Sequence, residues 1–209
     1  MSILSWLTAK YYDKIMQDAE TKGLKEWRTQ LLRHATGTVL EIGAGTGSNL
    51  ECYPQTIKKL VLLEPSPHMR QQLTLKLSAN NAYPIELLDG KAESIPFPDA
   101  TFDAIVCTLV LCSVKNMGKA LSELHRVLAP EGKLIFIEHV AAAKHTTRFK
   151  WQKMVEPVWK RMASGCHVTR QTEAALVQAG FMIEDIARQS MRGVPSLVRP
   201  TIRGIAIKC

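Results

Sequence analysis

No stretch constrains this chain more than Thr38-Val39-Leu40-Glu41-Ile42-Gly43-Ala44-Gly45-Thr46-Gly47-Ser48-Asn49. Thr38 to Ile42 is a short, mostly apolar run of β-forming residues, the pattern of a buried strand. Three glycines follow where that strand should turn into a helix over Ser48 to Tyr53, stopped near Pro54. Gly43, Gly45 and Gly47 remove three Cβ atoms, so a ligand can lie against bare peptide at the carboxyl end of the strand. Such a turn is a place to hold a cofactor.

Spacing narrows the choice of cofactor. A dinucleotide fingerprint is G-x-G-x-x-G, and here the third glycine comes one residue early, with Ser48 in the expected place. This weakens a nicotinamide or flavin reading. A second apolar run, Leu60-Val61-Leu62-Leu63, follows the basic pair Lys58-Lys59 and ends in Glu64. An acid at the tip of the neighbouring strand can accept both hydroxyls of a ribose, which implies an adenosyl ligand with no required phosphate.

The pattern E-I-G-A-G-T-G from Glu41, Glu64 closing the next strand, and Ile95-Pro96-Phe97-Pro98-Asp99 leading into Phe102-Asp103-Ala104-Ile105-Val106 resembles the class I S-adenosylmethionine-dependent methyltransferases, from Tyr12 onward. Within them, Val106 to Val114, Glu138-His139-Val140, Glu156-Pro157-Val158-Trp159-Lys160, Gly165-Cys166 and Thr169-Arg170 are similar to the methyltransferase-like subgroup that includes alkyl thiol methyltransferases. The resemblance implies an α/β, Rossmann-like fold: a seven-stranded, mainly parallel sheet with helices on both faces, an antiparallel last strand and an N-terminal helical cap. It implies S-adenosyl-L-methionine as cofactor and a small, hydrophobic methyl acceptor, with thiol S-methylation the leading reaction. N-, O- or C-methylation of a quinone, lipid or other metabolite, and a non-catalytic cofactor-binding regulator, stand as alternatives.

On this reading the cofactor-binding residues are Tyr12, Glu41, Gly43, Ala44, Gly45, Gly47, Asn49, Glu64, Pro65, Ala92, Glu93, Cys107, Thr108 and Leu109. One departure stands out. Many relatives carry an acid where this chain has Lys91, and an ammonium cannot accept a hydrogen bond from adenine, so the backbone around Ala92, helped by Glu93, is expected to read the base.

With 209 residues and no Gly/Ser-rich or charge-block linker, the chain reads as a single domain. Residues 1–35 form the cap, 36–140 the cofactor-binding core, 141–168 a substrate lid, and 169–209 a helix and hairpin. No apolar run approaches the roughly 18 residues needed to span a bilayer, so a cytoplasmic location is expected. Five cysteines, Cys52, Cys107, Cys112, Cys166 and Cys209, show no metal-ligand spacing with the histidines, so no metal is expected. The net charge of +8 could serve RNA, an anionic membrane surface or acidic substrates. Its Lys and Arg residues are spread along the chain, which favours an ordinary solvated surface, and neither an RNA-binding module nor a recognisable catalytic tetrapeptide is evident.

Along the chain, Ile3, Leu7, Tyr11 and Ile15 mark a first helix, and a second runs over Lys22 to His34. Ser66 caps a third that opens at Pro67 and reaches about Ala79. Strands follow at Ile85 to Leu88 and Phe102 to Leu109, then a helix from Asn116 to Leu128 with Leu121, Leu124 and Leu128 inward. The strand Lys133 to Val140 carries Glu138 and His139 at its tip, the best general-base candidates; Glu138 as a loop anchor and His139 as filler of a polar gap remain open.

Thr147 to Met162 interleaves Trp151, Val155, Val158, Trp159 and Met162 with basic residues, reading as an amphipathic lid or a membrane-surface helix, kinked or broken at Pro157. Cys112, Trp151, Trp159 and His167 are the substrate-facing candidates. Thr169 is expected to cap a helix through Gln178, ended by Gly180. Strands at Phe181 to Gln189 and Thr201 to Lys208 complete the sheet the family implies. Oligomeric state is left open.

Overall fold

The computed structural model describes residues 3–77 and 82–208. Seven strands, β1 (Thr38–Ile42), β2 (Lys59–Leu63), β3 (Ile85–Leu88), β4 (Phe102–Thr108), β5 (Leu128–His139), β6 (Phe181–Ser190) and β7 (Pro200–Lys208), form one sheet in the order β3-β2-β1-β4-β5-β7-β6. The pairs from β3 to β5 are parallel, whereas β7 runs antiparallel to both β5 and β6. Strand order reverses between β1 and β4, which opens a crevice at their carboxyl ends beside the glycine turn.

Six helices, α1 (Ile3–Ala19), α2 (Lys25–Leu32), α3 (Pro67–Lys76), α4 (Met117–Val127), α5 (Thr147–Met162) and α6 (Thr172–Gln178), accompany the sheet. Alternate strand residues supply two cores. Leu40, Ile105 and Phe136 pack on one face with Leu121 and Leu124 of α4 and Leu176 of α6. Val39, Val106 and Ile135 pack on the other with Leu31 and Leu32 of α2 and Leu73 of α3. Coverage on both faces is why β1, β2 and β4 read as continuous apolar runs.

Several boundaries differ from the sequence expectation. The glycine turn opens no α-helix; only a 3₁₀ turn at Leu50–Cys52 follows, because Pro54 drives Tyr53 into extended backbone. Helix α3 stops at Lys76, with Leu77 already extended, and Ala79 lies outside the described residues. Strand β5 begins at Leu128 and carries Pro130 and Gly132 through a register shift opposite Phe102 and Ala104. Helix α5 runs unbroken through Pro157. Pro157 and Lys153 are both exposed, so water can serve the carbonyl that proline leaves unpaired. Thr169 caps nothing: α6 starts at Thr172, and the Thr169 hydroxyl is donated to Glu156.

Candidate active site

Ile42 of β1 lies between Leu63 of β2 and Cys107 of β4, so the chain leaves β1 at the centre of the sheet. The Gly43 amide donates to the Leu63 carbonyl at 2.7 Å, turning the backbone across the tip of β2. Gly43, Gly45 and Gly47 all have positive φ. A Cβ at Gly43 would meet Val110 Cγ2 at 2.6 Å, whereas one at Gly45 would find nothing nearer than a backbone oxygen at 3.9 Å. Gly45 is therefore bare toward open space. Beside it, Glu64 accepts the Gly45 amide at 2.9 Å and the Ser66 amide at 2.8 Å. Burial pushes its carboxyl up, and only 6% of the residue is exposed. An open peptide surface next to an acceptor carboxylate fits an adenosyl group: room for the chain, and lone pairs for hydroxyls.

The cap closes over this turn. Asp13 of α1 accepts the Thr46 hydroxyl at 2.5 Å and the Lys76 ammonium at 2.6 Å, tying α1 to the glycine turn and to α3. Tyr12 is half-buried, within electrostatic reach of Arg28, Cys112, Glu20 and Glu64, and burial raises its phenol. Pro65 is exposed at the rim. Ala92 is buried below the β3 tip, while the Glu93 carboxylate accepts the Lys115 and Asn116 amides and so fixes the approach to α4.

Beneath the turn lies a polar network that the linear sequence conceals. Glu41 Oε1 accepts from Asn49 Nδ2 at 2.9 Å and Oε2 from the Tyr53 hydroxyl at 2.7 Å; Asn49 Nδ2 also donates to Thr108 Oγ1 at 2.8 Å. Arg28, only 3% exposed, reaches from α2 to Asn49 Oδ1 at 2.7 Å and to Glu20. Burial lifts the Glu41 carboxyl to about 7. Both its oxygens are committed inside the protein, so Glu41 and Asn49 brace the glycine turn from below. Asn49→Ala is expected to lower the unfolding free energy by about 2–4 kcal/mol, because it strands a buried guanidinium and half of a buried carboxylate. Urea unfolding checks this, and a shift within experimental scatter would mean that the network is not rigid.

On the opposite wall, Glu138, next to last in β5, is fully buried, and its carboxylate accepts the amides of Val110 (2.9 Å), Leu111 (2.8 Å) and Cys112 (3.0 Å). Every oxygen is occupied by backbone. Glu138 thus holds the loop after β4, and its assignment as a general base gives way to that geometry. The loop starts at Leu109, a non-glycine residue with φ of 60°, whose amide donates to Ile137 at 2.7 Å. Cys107, one turn of the pleat below, is wholly within the core and its thiol is pushed well up by burial.

The chain after α5 returns to this loop. The His167 amide donates to the Cys112 carbonyl at 2.8 Å, and Glu156 of α5 gathers His167 Nδ1 and the Thr169 hydroxyl. His167 is thereby turned into a brace between α5 and the loop. The same path brings Cys166 beside Cys112 and His139, with Cys166 Sγ 3.8 Å from His139 Nδ1. Cys112, His139 and Cys166 are all buried, and their ligand atoms lie within 4.8 Å of one another. Among the described residues His139 Nε2 has no hydrogen-bond partner, nor does Trp159 Nε1. The Cys112 thiol, then His139, then the Trp159 ring favour the ionised form of Cys166, lowering its thiol, while Cys112 is raised.

Helix α5 is rotated by its one fully buried polar side chain. Gln152 accepts the Ala142 amide at 2.8 Å and donates to the Leu197 carbonyl at 2.8 Å, so Phe149 and Gln152 face inward with Trp159 half-buried. Trp151 is consequently 52% exposed, on the face of α5 opposite the buried Phe149 and Gln152. A separate cavity of about 820 Å³, lined by Val140, Arg170, Glu173, Arg188 and Thr201 among others, contains none of the residues expected from sequence.

Comparison with known proteins agrees with this geometry. Residues 40–136 match the model of a methyltransferase domain. Thiol S-methyltransferase TMT1B of Rattus norvegicus is 34% identical over 99% of this chain and 84% of its own length. The Homo sapiens TMT1B is 38% identical over 85% of this chain and 74% of its own. The solved structure of a SAM-dependent methyltransferase from Thermotoga maritima, a possible histamine N-methyltransferase, superposes with a TM-score of 0.68 at 20% identity, over 96% of this chain and 94% of that one. With a strand order that reverses at the glycine turn, an acid at the tip of β2 and these relatives, the chain belongs to the class I S-adenosylmethionine-dependent methyltransferases, in the branch of the thiol S-methyltransferases.

Proposed function

We propose that this enzyme transfers the methyl group of S-adenosyl-L-methionine to the sulfur of a small hydrophobic thiol. The observation that carries the reading is the 34% identity to a thiol S-methyltransferase across 84% of that protein's length. The cofactor supplies an electrophilic methyl group on a sulfonium cation. Gly43, Ala44, Gly45 and Gly47 offer it bare backbone, Glu64 and Pro65 the ribose site, and Ala92 the edge of the adenine site. Tyr12 covers it from α1, and Thr108 and Leu109 form the floor above the buried Cys107.

The acceptor enters on the side of Cys112, His139 and Trp159. Alignment does much of the work, because transfer needs the sulfur in line with the methyl group at near-attack distance. Thiolate attack on a sulfonium annihilates opposite charges, which a dry pocket favours. A free thiol has a pKa near about 8.5, so a minority is ionised at neutral pH, and His139, with an uncommitted Nε2, assists the rest. Residues 141–168 act as a lid whose outer face carries Trp151, Met154, Val158 and Met162 among basic residues, and this face supports peripheral contact with a membrane surface. Four buried free cysteines suit a reducing compartment such as the cytoplasm.

The test is incubation of purified protein with S-adenosylmethionine and a panel of alkyl thiols, amines and quinones, with products read by mass spectrometry. Thioether formation with thiols alone is expected. Methylated amine or quinone without thioether would replace the reading. In the same preparation Glu64→Ala is expected to weaken cofactor binding roughly 10–100-fold by calorimetry, the worth of hydrogen bonds to a charged acceptor. Unchanged affinity would place the ribose elsewhere.

A further inference from the structure

We propose that Cys112, His139 and Cys166 form a zinc site that takes the acceptor thiol as its fourth ligand. The inference deepens the thiol S-methyltransferase reading and rests on it. Three observations carry it. The ligand atoms converge from three separate segments, the β4 loop, the β5 tip and the turn after α5, to within 4.8 Å of one another. The 3.8 Å between Cys166 Sγ and His139 Nδ1 is close to the roughly 3.6 Å that tetrahedral bonds of about 2.3 Å to sulfur and 2.1 Å to nitrogen require. The cluster is also held from outside: Glu138 fixes the Cys112 amide and His167 the Cys112 carbonyl.

Two thiolates and one imidazole are a soft, borderline donor set that selects zinc among common divalent ions, and three protein ligands leave a position for substrate. Charge follows. Zinc with two protein thiolates is neutral, and a third thiolate makes the site −1, opposite to the sulfonium cation. On binding, the acceptor S–H bond breaks and its proton passes to solvent, while the sulfur pair binds the metal. In transfer, a thiolate lone pair forms the new S–CH₃ bond. The sulfonium S–CH₃ bond breaks, and its electron pair stays on the cofactor sulfur, leaving neutral S-adenosylhomocysteine. The thioether is a weak ligand and departs. His139 thus promotes thiol ionisation through the metal.

The experiment replaces the metal of the reduced full-length protein with Co²⁺. Expected is an intense thiolate-to-cobalt charge-transfer band, with the strong visible absorption of a tetrahedral site, that grows when hexanethiol is added. Cys166→Ser should lose roughly half of the band, one of two protein thiolates. His139→Ala should weaken Co²⁺ binding at least tenfold, a bound set by the ~10–100-fold effect of mere outer-shell partners. S-adenosylmethionine binding by calorimetry confirms that each variant is folded. Cofactor-competent protein with no charge-transfer band, or with a Cys112–Cys166 disulfide in place of metal binding under reducing conditions, overturns the zinc site. Full thioether production by chelated, metal-free protein also overturns it and leaves thiol methylation standing. A cobalt-thiolate spectrum unmoved by hexanethiol, with no thioether formed, overturns instead the thiol acceptor and its place on the metal.

Discussion

Glu138→Ala is expected to lower the unfolding free energy by about 3–5 kcal/mol and to abolish methyl transfer. The carboxylate is the acceptor for three successive amides, of Val110, Leu111 and Cys112, in a place closed to water. Removing it leaves three donors unsatisfied, each at a cost of about 1–3 kcal/mol, part of which loop rearrangement recovers. The same loop presents Cys112 to the acceptor side and presses Val110 against Gly43, so its movement disturbs both halves of the site. Urea unfolding and single-turnover methylation read the two effects. A stable, inactive variant would mean that the loop holds itself and that Glu138 acts in the chemistry after all.

A pH dependence follows from the same burial. Glu138 and Glu41 are both lifted to about 7 by desolvation, from an unfolded value of about 4.5. Between those values the folded chain holds protons that the unfolded chain has released, so the stability these two carboxyls contribute is greatest below about pH 4.5 and is lost as pH rises toward 7. Each group contributes at most about 1.4 kcal/mol per pH unit to that slope. Glu138→Ala removes one of the two contributions, and urea midpoints taken across this window should decline less steeply in the variant. An unchanged slope would assign the titration to the other raised carboxyls, Glu41 and Glu64.

Gly45→Arg is expected to reduce S-adenosylmethionine affinity at least ~100-fold while leaving the fold nearly intact, since excluding a ligand group forfeits several hydrogen bonds at once. Its Cβ would enter open space with nothing closer than 3.9 Å, so the structural cost is the left-handed backbone, φ of 57°, worth about 1 kcal/mol. Gly47→Ala, two residues on, is the contrast. There a Cβ would meet Leu73 Cδ1 at 2.5 Å and Leu50 Cδ1 at 2.9 Å, and the expected loss is about 1–3 kcal/mol of stability. Calorimetry with the cofactor and thermal unfolding separate the pair: one variant folded and unable to bind, the other destabilised. Near-native affinity in Gly45→Arg would show that the cofactor does not lie over this turn.

The sequence by itself determined the elements whose signal is local. Strand β1 at Thr38–Ile42 and helix α5 at Thr147–Met162 fall at their expected boundaries because a doubly buried strand and an amphipathic helix each carry their own period. The Ser66-Pro67 start of α3, with the Ser66 hydroxyl accepting the Met69 amide, was equally legible, since a cap is written in adjacent residues. Glu64 could be found as the acid that ends a run of apolar residues. What the tertiary structure alone decided is which side chains face each other. Nothing local says that Glu138 spends its carboxylate on three amides of another loop, or that Arg28 reaches Asn49. Nothing local turns Trp151 outward either, because the rotation of α5 is set by Gln152 meeting backbone of two distant segments. Cys166 joins Cys112 and His139 for the same reason: no spacing pattern links them. Their meeting depends on strand order, on the reversal between β1 and β4, and on a turn pinned by Glu156, all consequences of packing across the sheet rather than of any period along the chain.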